Sequence, residues 1–247
     1  YLGNLWYQRQ PERARECWER TVSLDTSFVM ALRNLAWYWR FKDEYTDKDS
    51  SDYDKAIDYY LKAIASDTQG RALLLTECDE TMELAGAPLS QRFALFEGRE
   101  QVYRKRYDSE TRALRQFVLH GDFEAALEPL LTHSYSRREH IDDLHDMYVD
   151  VCQLSAFKAW EEGNYASALK YLLQSTQYPQ NQGYAHLEYY ARDAQVYYLV
   201  GLAYERLGDK DSAMQWYERS AAVEIKPKDC LYNYEKSLSL LKLNSRA

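Results

Sequence analysis

Glycine and proline are scarce in this chain, at 9 and 5 of 247 residues. Turn-rich β architectures and linker-like segments need more of both, so the scarcity points to long helices with short connections. No apolar run reaches the length of a membrane span, and a cytoplasmic location is the expectation. Basic residues are outnumbered, 31 against 39 acidic, with a formal charge of −8. That balance lacks the basic footprint of a general nucleic-acid binder and favours a neutral or basic partner. The four cysteines, Cys17, Cys78, Cys152 and Cys230, lie far apart with no C-x-x-C pair. This excludes a disulfide framework or zinc knuckle and leaves reduced thiols acting as small core residues. There is no glycine-rich phosphate loop, nucleophile elbow or metal-spaced His/Cys set. Neither catalysis nor a cofactor or metal is expected of this segment.

Hydrophobic residues make up 46% of the chain, and tyrosine alone supplies 23 positions. The organising stretch runs from Tyr197 to Ser220. Small Gly201 on one helix and Ala213 on the next let two backbones approach, while Tyr197, Tyr204 and Tyr217 fill the space beside the contact. Gly208-Asp209 reads as a helix stop followed by an N-cap. Such a hairpin cannot bury its apolar face alone, and the pattern recurs. Turn-marking alanines fall at Ala14, Ala56, Ala126, Ala168 and Ala213. Gly121-Asp122 and Gly163-Asn164 repeat the turn. Hairpins are expected at 1–25, 28–68, 70–98, 99–132, 142–178 and 187–223, closed by a capping helix at 229–243. In that helix Leu231, Tyr234, Leu238 and Leu241 share one side and are expected to cover the end of the core.

Tyr197-x-x-Val200-Gly201-x-x-Tyr204 with Ala213-x-x-x-Tyr217 resembles the tetratricopeptide repeat pattern, and so does Leu32-x-x-Leu35-Ala36-x-x-Trp39 with Ala56-x-x-x-Tyr60. The resemblance implies an all-α solenoid: a right-handed superhelix of antiparallel helix pairs, about six repeats in one domain over 1–247. Tyr1-Leu2-Gly3 reads as the middle of a first helix, so a preceding part is expected to be missing. A narrower resemblance lies at Tyr178-Pro179-Gln180-Asn181-Gln182-Gly183. It is similar to the Tyr-Pro-Glu-Asn-x-Gly linker of a bacterial family of unknown function, with Gln180 in place of Glu. Members of that family place an aldose-epimerase-like β-sandwich domain ahead of such repeats. This implies, as an alternative role, an accessory module docking an upstream β domain of a carbohydrate-active enzyme.

The repeat resemblance also implies that the first helix of each pair lines a concave surface where a peptide or protein partner binds. Groove positions counted from the register are Asn4, Tyr7, Arg33, Trp37, Arg40, Phe41, Arg115, Phe157, Trp160, Tyr198 and Arg206. Aromatics with arginines are the composition of binding hot spots. Trp37 and Trp160 stand out because neither occupies a core position of the pattern. Asn4, Arg33 and Arg40 further sketch a clamp for a peptide carboxylate. Most other aromatics fill inter-helix positions. Asp79 falls where a small residue normally packs, so a partly buried carboxylate paired with an arginine is expected. The acidic insertion 43–52 is expected to be a solvated turn, since Asp52 stands where a calcium loop needs glycine. Residues 133–140 read as a polar solvated loop. His140 and His145, five apart, lack the spacing of two metal ligands on one helix face.

Overall fold

The computed structural model describes residues 2–45, 51–135, 143–183 and 190–245. Among them every regular element is a helix. The chain divides into two compact units, Tyr1–His120 and Gly121–Ala247, where the sequence suggested one domain. The first contains α1 (Leu2–Trp6), α2 (Pro11–Leu24), α3 (Val29–Arg40), α4 (Lys42–Tyr45), α5 (Tyr53–Ser66), α6 (Ala72–Leu84), α7 (Leu89–Phe96), α8 (Glu100–Tyr103) and α9 (Tyr107–His120). The second contains α10 (Phe123–Thr132), α11 (Asp143–Glu161), α12 (Tyr165–Gln174), α13 (Asp193–Arg206), α14 (Lys210–Ala222) and α15 (Asn233–Asn244), with 3₁₀ turns at Gln180–Gln182 and Pro227–Tyr232.

Within each unit the helices pair as antiparallel hairpins, α1 with α2, α3 with α5, α11 with α12 and α13 with α14. The spaced alanines explain the pairing: Ala14, Ala56, Ala126, Ala168 and Ala213 are all 0–2% exposed. Each leaves room for an aromatic or aliphatic neighbour to cross the hairpin. At two positions even a methyl group is too large. A Cβ on Gly3 would lie 2.3 Å from the Trp18 indole nitrogen, and one on Gly201 would lie 2.5 Å from Cε1 of Tyr217. The turns close as the sequence implied. Gly121, Gly163 and Gly208 all have positive φ, between +76° and +85°. The residue after each caps the next helix: Asp122 accepts from the Ala125 N–H at 3.2 Å, Asn164 from Ser167 at 3.1 Å and Asp209 from Ser212 at 3.0 Å. These contacts satisfy backbone donors that the first turn of a helix leaves without partners.

Three regions depart from the expected pattern. The boundary between the units falls at the Gly121 turn, inside the expected hairpin 99–132, so α9 packs on α6 and α7 while α10 packs on α11. In the degenerate third pair, α6 is enclosed by α5, α7 and α9. It therefore buries polar side chains on several faces, including Thr76, Glu77, Asp79 and Thr81. Asp79 is fully buried and receives Arg92 through two bonds of 2.8 and 3.1 Å, Arg112 at 2.6 Å and the Gln116 amide at 3.3 Å. The arginine expected from the register is thus a pair of arginines, which hold the charge where water cannot.

The last helix packs on α13 and α14, but through a different side from the one expected. A 3₁₀ turn replaces its first turn, and Leu231, Tyr234 and Leu241 are 83%, 67% and 64% exposed rather than covering the core. The buried side is polar instead. Ser239 is 0% exposed and donates to Ser220 Oγ at 2.8 Å, and Lys236 reaches the Val223 carbonyl at 2.8 Å. Two small serines allow close helix approach, and with that rotation Leu231, Tyr234 and Leu241 face outward while Leu238 of the expected stripe stays half-buried.

The Tyr178–Gly183 segment has a local structural role. Asn181 Nδ2 donates to the carbonyls of Leu130 (3.0 Å) and His133 (2.7 Å), and Gln182 Nε2 donates to Leu130 as well. Both amides thereby satisfy carbonyls at the C-terminal end of α10, which lack partners within the helix.

Candidate functional site

In the first unit, α1, α2 and α3 enclose a cleft of about 240 Å³ lined by Asn4, Tyr7, Trp18, Arg33, Asn34 and Trp37. Four of these are groove positions read from the sequence. Trp18 and Asn34 are additions. Trp18 belongs to the core register, Ala14-x-x-x-Trp18, and meets the cleft residues through its indole N–H and through its ring, 5.8 Å from that of Tyr7. Asn34 was legible through spacing, because it lies three residues before Trp37 on the same helix face.

Hydrogen bonds fix the side chains of this cleft. The Trp18 indole N–H donates to Asn4 Oδ1 at 3.1 Å, and Asn34 Nδ2 donates to the same oxygen at 2.9 Å. The Trp37 indole N–H donates to the Tyr7 hydroxyl. Arg33 stands over the Trp37 ring, 5.6 Å from its centroid, in cation–π range. Its fork is directed at Glu77 of α6, Nε to Oε2 at 2.7 Å and Nη2 to Oε1. Burial works against the Arg33 charge, but the Glu77 carboxylate more than offsets it and raises the guanidinium above its ordinary value.

Arg40 and Phe41 extend this face beyond the cleft lining. Arg40 pairs with Glu80 at 3.0 Å, and Phe41 packs on Trp37 with ring centroids 4.7 Å apart. Both arginines of the sketched carboxylate clamp hold glutamates of α6. Arg115 is exposed on α9 and lines neither cleft described here.

In the second unit, Phe157, Trp160, Glu161, Leu172, Leu199 and Leu202 line a more apolar concavity of about 320 Å³ between α11, α12 and α13. Phe157 is 41% exposed. Trp160 meets Tyr165 edge-on at 5.4 Å, and the Arg206 guanidinium lies 5.9 Å from Trp160 and 5.5 Å from Tyr165. Tyr198 is not part of this concavity and packs on Tyr217.

Three titratable groups elsewhere, His145, Cys78 and Cys152, are buried in the packing. His145, expected near a solvated loop, is 1% exposed and stacks on Tyr178 at 4.3 Å, beside Tyr190. His140 lies outside the described residues, as do Asp47 and Asp49 of the acidic insertion. Burial pushes the Cys78 and Cys152 thiols up to about 12. Cys17 is half-buried and Cys230 exposed, so the core role expected of all four thiols holds for two. Among the described residues no group of three or more His, Cys, Asp or Glu could hold a metal ion, and no helix is long and apolar enough to cross a membrane.

Models of the tetratricopeptide repeat match residues 4–71 and 194–229. No curated protein matches the chain. Among solved structures, YrrB, a TPR protein with an unusual peptide-binding site, is 14% identical, with 90% of this chain and 99% of that one covered at a TM-score of 0.46. The apo form of RapI is 9% identical, covering 98% and 68% of the two chains at 0.49. PilF of Pseudomonas aeruginosa is 18% identical, covering 100% and 95% at 0.40. With its small residues in phase and its Gly-Asp turns, this all-α chain carries tetratricopeptide repeats at 4–71 and 194–229.

Proposed function

We propose that this protein is a non-catalytic scaffold that holds a segment of a protein partner against the first helices of its repeats. The observation carrying the reading is the cleft of α1–α3, where two tryptophans, a tyrosine, two amides and an arginine converge in about 240 Å³. A cleft of that size accommodates one or two side chains of a peptide, not a metabolite-sized ligand. Tryptophan, tyrosine and arginine are the residues on which interface energy concentrates. The groove residues of the second unit, Phe157 and Trp160, add an apolar contact of the same kind. A non-catalytic role is supported by the buried thiols, held far from the thiolate form, and by Asp79, which is engaged by two arginines.

The test is selection of random peptides on the purified chain, followed by titration of the winners against Trp37→Ala and Trp160→Ala. We expect Trp37→Ala to weaken binding of the selected peptides at least tenfold, with the thermal midpoint nearly unchanged. Loss of stability in parallel with loss of binding makes Trp37 a packing residue and removes the proposal, as does the absence of any selected peptide.

A further inference from the structure

The hydrogen-bond chain across the α1–α3 cleft determines what its occupant must offer. An indole N–H can only donate. The 3.1 Å bond from Trp18 Nε1 therefore fixes which end of the Asn4 amide is oxygen. Asn34, 2.9 Å from that same oxygen, must present its own nitrogen. Two neutral groups in the cleft lining are left uncommitted by this arrangement: the Asn4 Nδ2 donor and the Asn34 Oδ1 acceptor. The charge beside them is already matched, since Nε and Nη2 of Arg33 engage the Glu77 carboxylate, which is 4% exposed, and only Nη1 of that guanidinium is left over. Arg40 is likewise held by Glu80. A ligand carboxylate would meet no unpaired cation at this lining and would face Glu77 across Arg33. The walls, Tyr7, Trp18 and Trp37, are aromatic.

We propose, on the reading of this cleft as a peptide site, that it recognises an internal stretch of a partner chain and not a free C-terminus. The neutral donor and acceptor pair of Asn4 and Asn34 reads one amide group, a peptide bond or an Asn or Gln side chain. An adjacent uncharged side chain packs on Trp37. A backbone amide offers one acceptor and one donor, the complement of what Asn4 and Asn34 have left. The selectivity against carboxylates arises because a charge entering a site whose one cation is already neutralised by Glu77 loses its hydration with little return.

The probes are two synthetic libraries of the same random dodecapeptides, one acetylated and amidated at its ends, the other with free C-terminal carboxylates. We expect end-blocked peptides to bind through the cleft, shown by at least tenfold weakening with Trp37→Ala. Asn4→Asp is the decisive variant. It keeps the oxygen that accepts from Trp18 and Asn34, replaces the uncommitted donor with an acceptor, and alters an exposed position. It should weaken the blocked peptides about tenfold, the loss of one hydrogen bond with a partner left unsatisfied. In Glu77→Gln, which releases Arg33, peptides with free carboxylates should gain affinity relative to blocked ones. Binding confined to free-carboxylate peptides, or Asn4→Asp within twofold of the parent, overturns this inference while leaving the peptide site standing. Peptides that bind without regard to Trp37, or no binders in either library, overturn the peptide site itself.

Discussion

The two units solve the same packing problem with different chemistry. In the second, the centre is a cluster of small and aliphatic residues, Ala156, Ala159, Ala168, Leu172, Val200 and Ala203, wrapped by aromatics such as Trp160 and Trp216. In the first, the innermost helix, α6, carries Glu77 and Asp79, and its neighbours supply Arg33, Arg92 and Arg112 to meet them. The difference follows from register. Where alanine or glycine recurs in phase, backbones approach and apolar side chains close the gap. Where the phase is lost, as at Asp79, the space that a small residue would have left is filled by a carboxylate and the guanidinium groups it holds. The two clefts differ likewise: that in the first unit is aromatic and crossed by hydrogen bonds, and that in the second is more apolar.

The strongest test of this contrast is Asp79→Ala. It leaves Arg92, 7% exposed, without its main partner in the interior. Breaking one side of a buried pair costs about 3–5 kcal/mol, and denaturant unfolding should show it. The Asp79→Asn variant, which keeps the shape and loses the charge, should be less costly but still clearly destabilised. If either change leaves the unfolding midpoint in place, the ion cluster is not what holds α6.

The counterpart in the second unit is Gly201→Ala. The added methyl group meets the Tyr217 ring at 2.5 Å, and that ring cannot swing aside because Tyr217 is 1% exposed and its hydroxyl donates to Glu205. Overpacking of this kind costs about 1–3 kcal/mol. Calorimetry on Gly201→Ala and on Gly201→Ala with Tyr217→Leu tests the cause, since the second change should recover part of the loss. Recovery of none of it would place the strain in the helix backbone.

Below these stand the caps. Asp209 accepts from both the Ser212 N–H (3.0 Å) and its hydroxyl (2.7 Å). Asp209→Ala should cost about 1 kcal/mol, and Asn164→Ala the same. Amide hydrogen exchange should then accelerate in the first turn of α14 or α12 and nowhere else.

These effects also mark what the sequence could reveal. Phase was visible: the alanines, the Gly-Asp turns and the close approach at Gly201 all follow from local residue types and spacing, which is why the hairpins and their order were legible. The arginine pairing of Asp79 was legible too, as a violation of the pattern. The identity of its partners was not, because Arg92 and Arg112 arrive from α7 and α9 by tertiary packing. The same limit explains the cleft. Asn4, Tyr7, Arg33 and Trp37 follow from register, but the engagement of Arg33 with Glu77, 44 residues away, does not. The outward turn of Leu231, Tyr234 and Leu241 escaped for a related reason. An apolar stripe announces a buried face, yet helix α15 docks through Ser239, whose small size decides the approach.

The smallest expected effect probes a feature common to both units, in which a buried tyrosine hydroxyl donates to a glutamate: Tyr38 to Glu12 in the first, Tyr217 to Glu205 at 2.5 Å in the second. Lys242, 2.7 Å away, and then Tyr217 hold the Glu205 carboxyl below its ordinary value of 4.5, and Tyr38 does the same for Glu12. A depressed carboxyl pKa contributes stability that is complete above the ordinary value and is lost as pH falls through the folded one. Both glutamates are largely exposed, so solvent screening keeps each contribution small. Urea midpoints should therefore be flat above about pH 5 and decline modestly below it. Glu205→Gln should remove part of that acid decline while lowering the neutral plateau slightly. The double variant with Glu12→Gln should remove more, by an amount close to the sum of the two, because the groups share no partner. An acid decline unchanged in the double variant would assign it to other carboxylates, with Asp108, held below its ordinary value by Arg106, the first place to look.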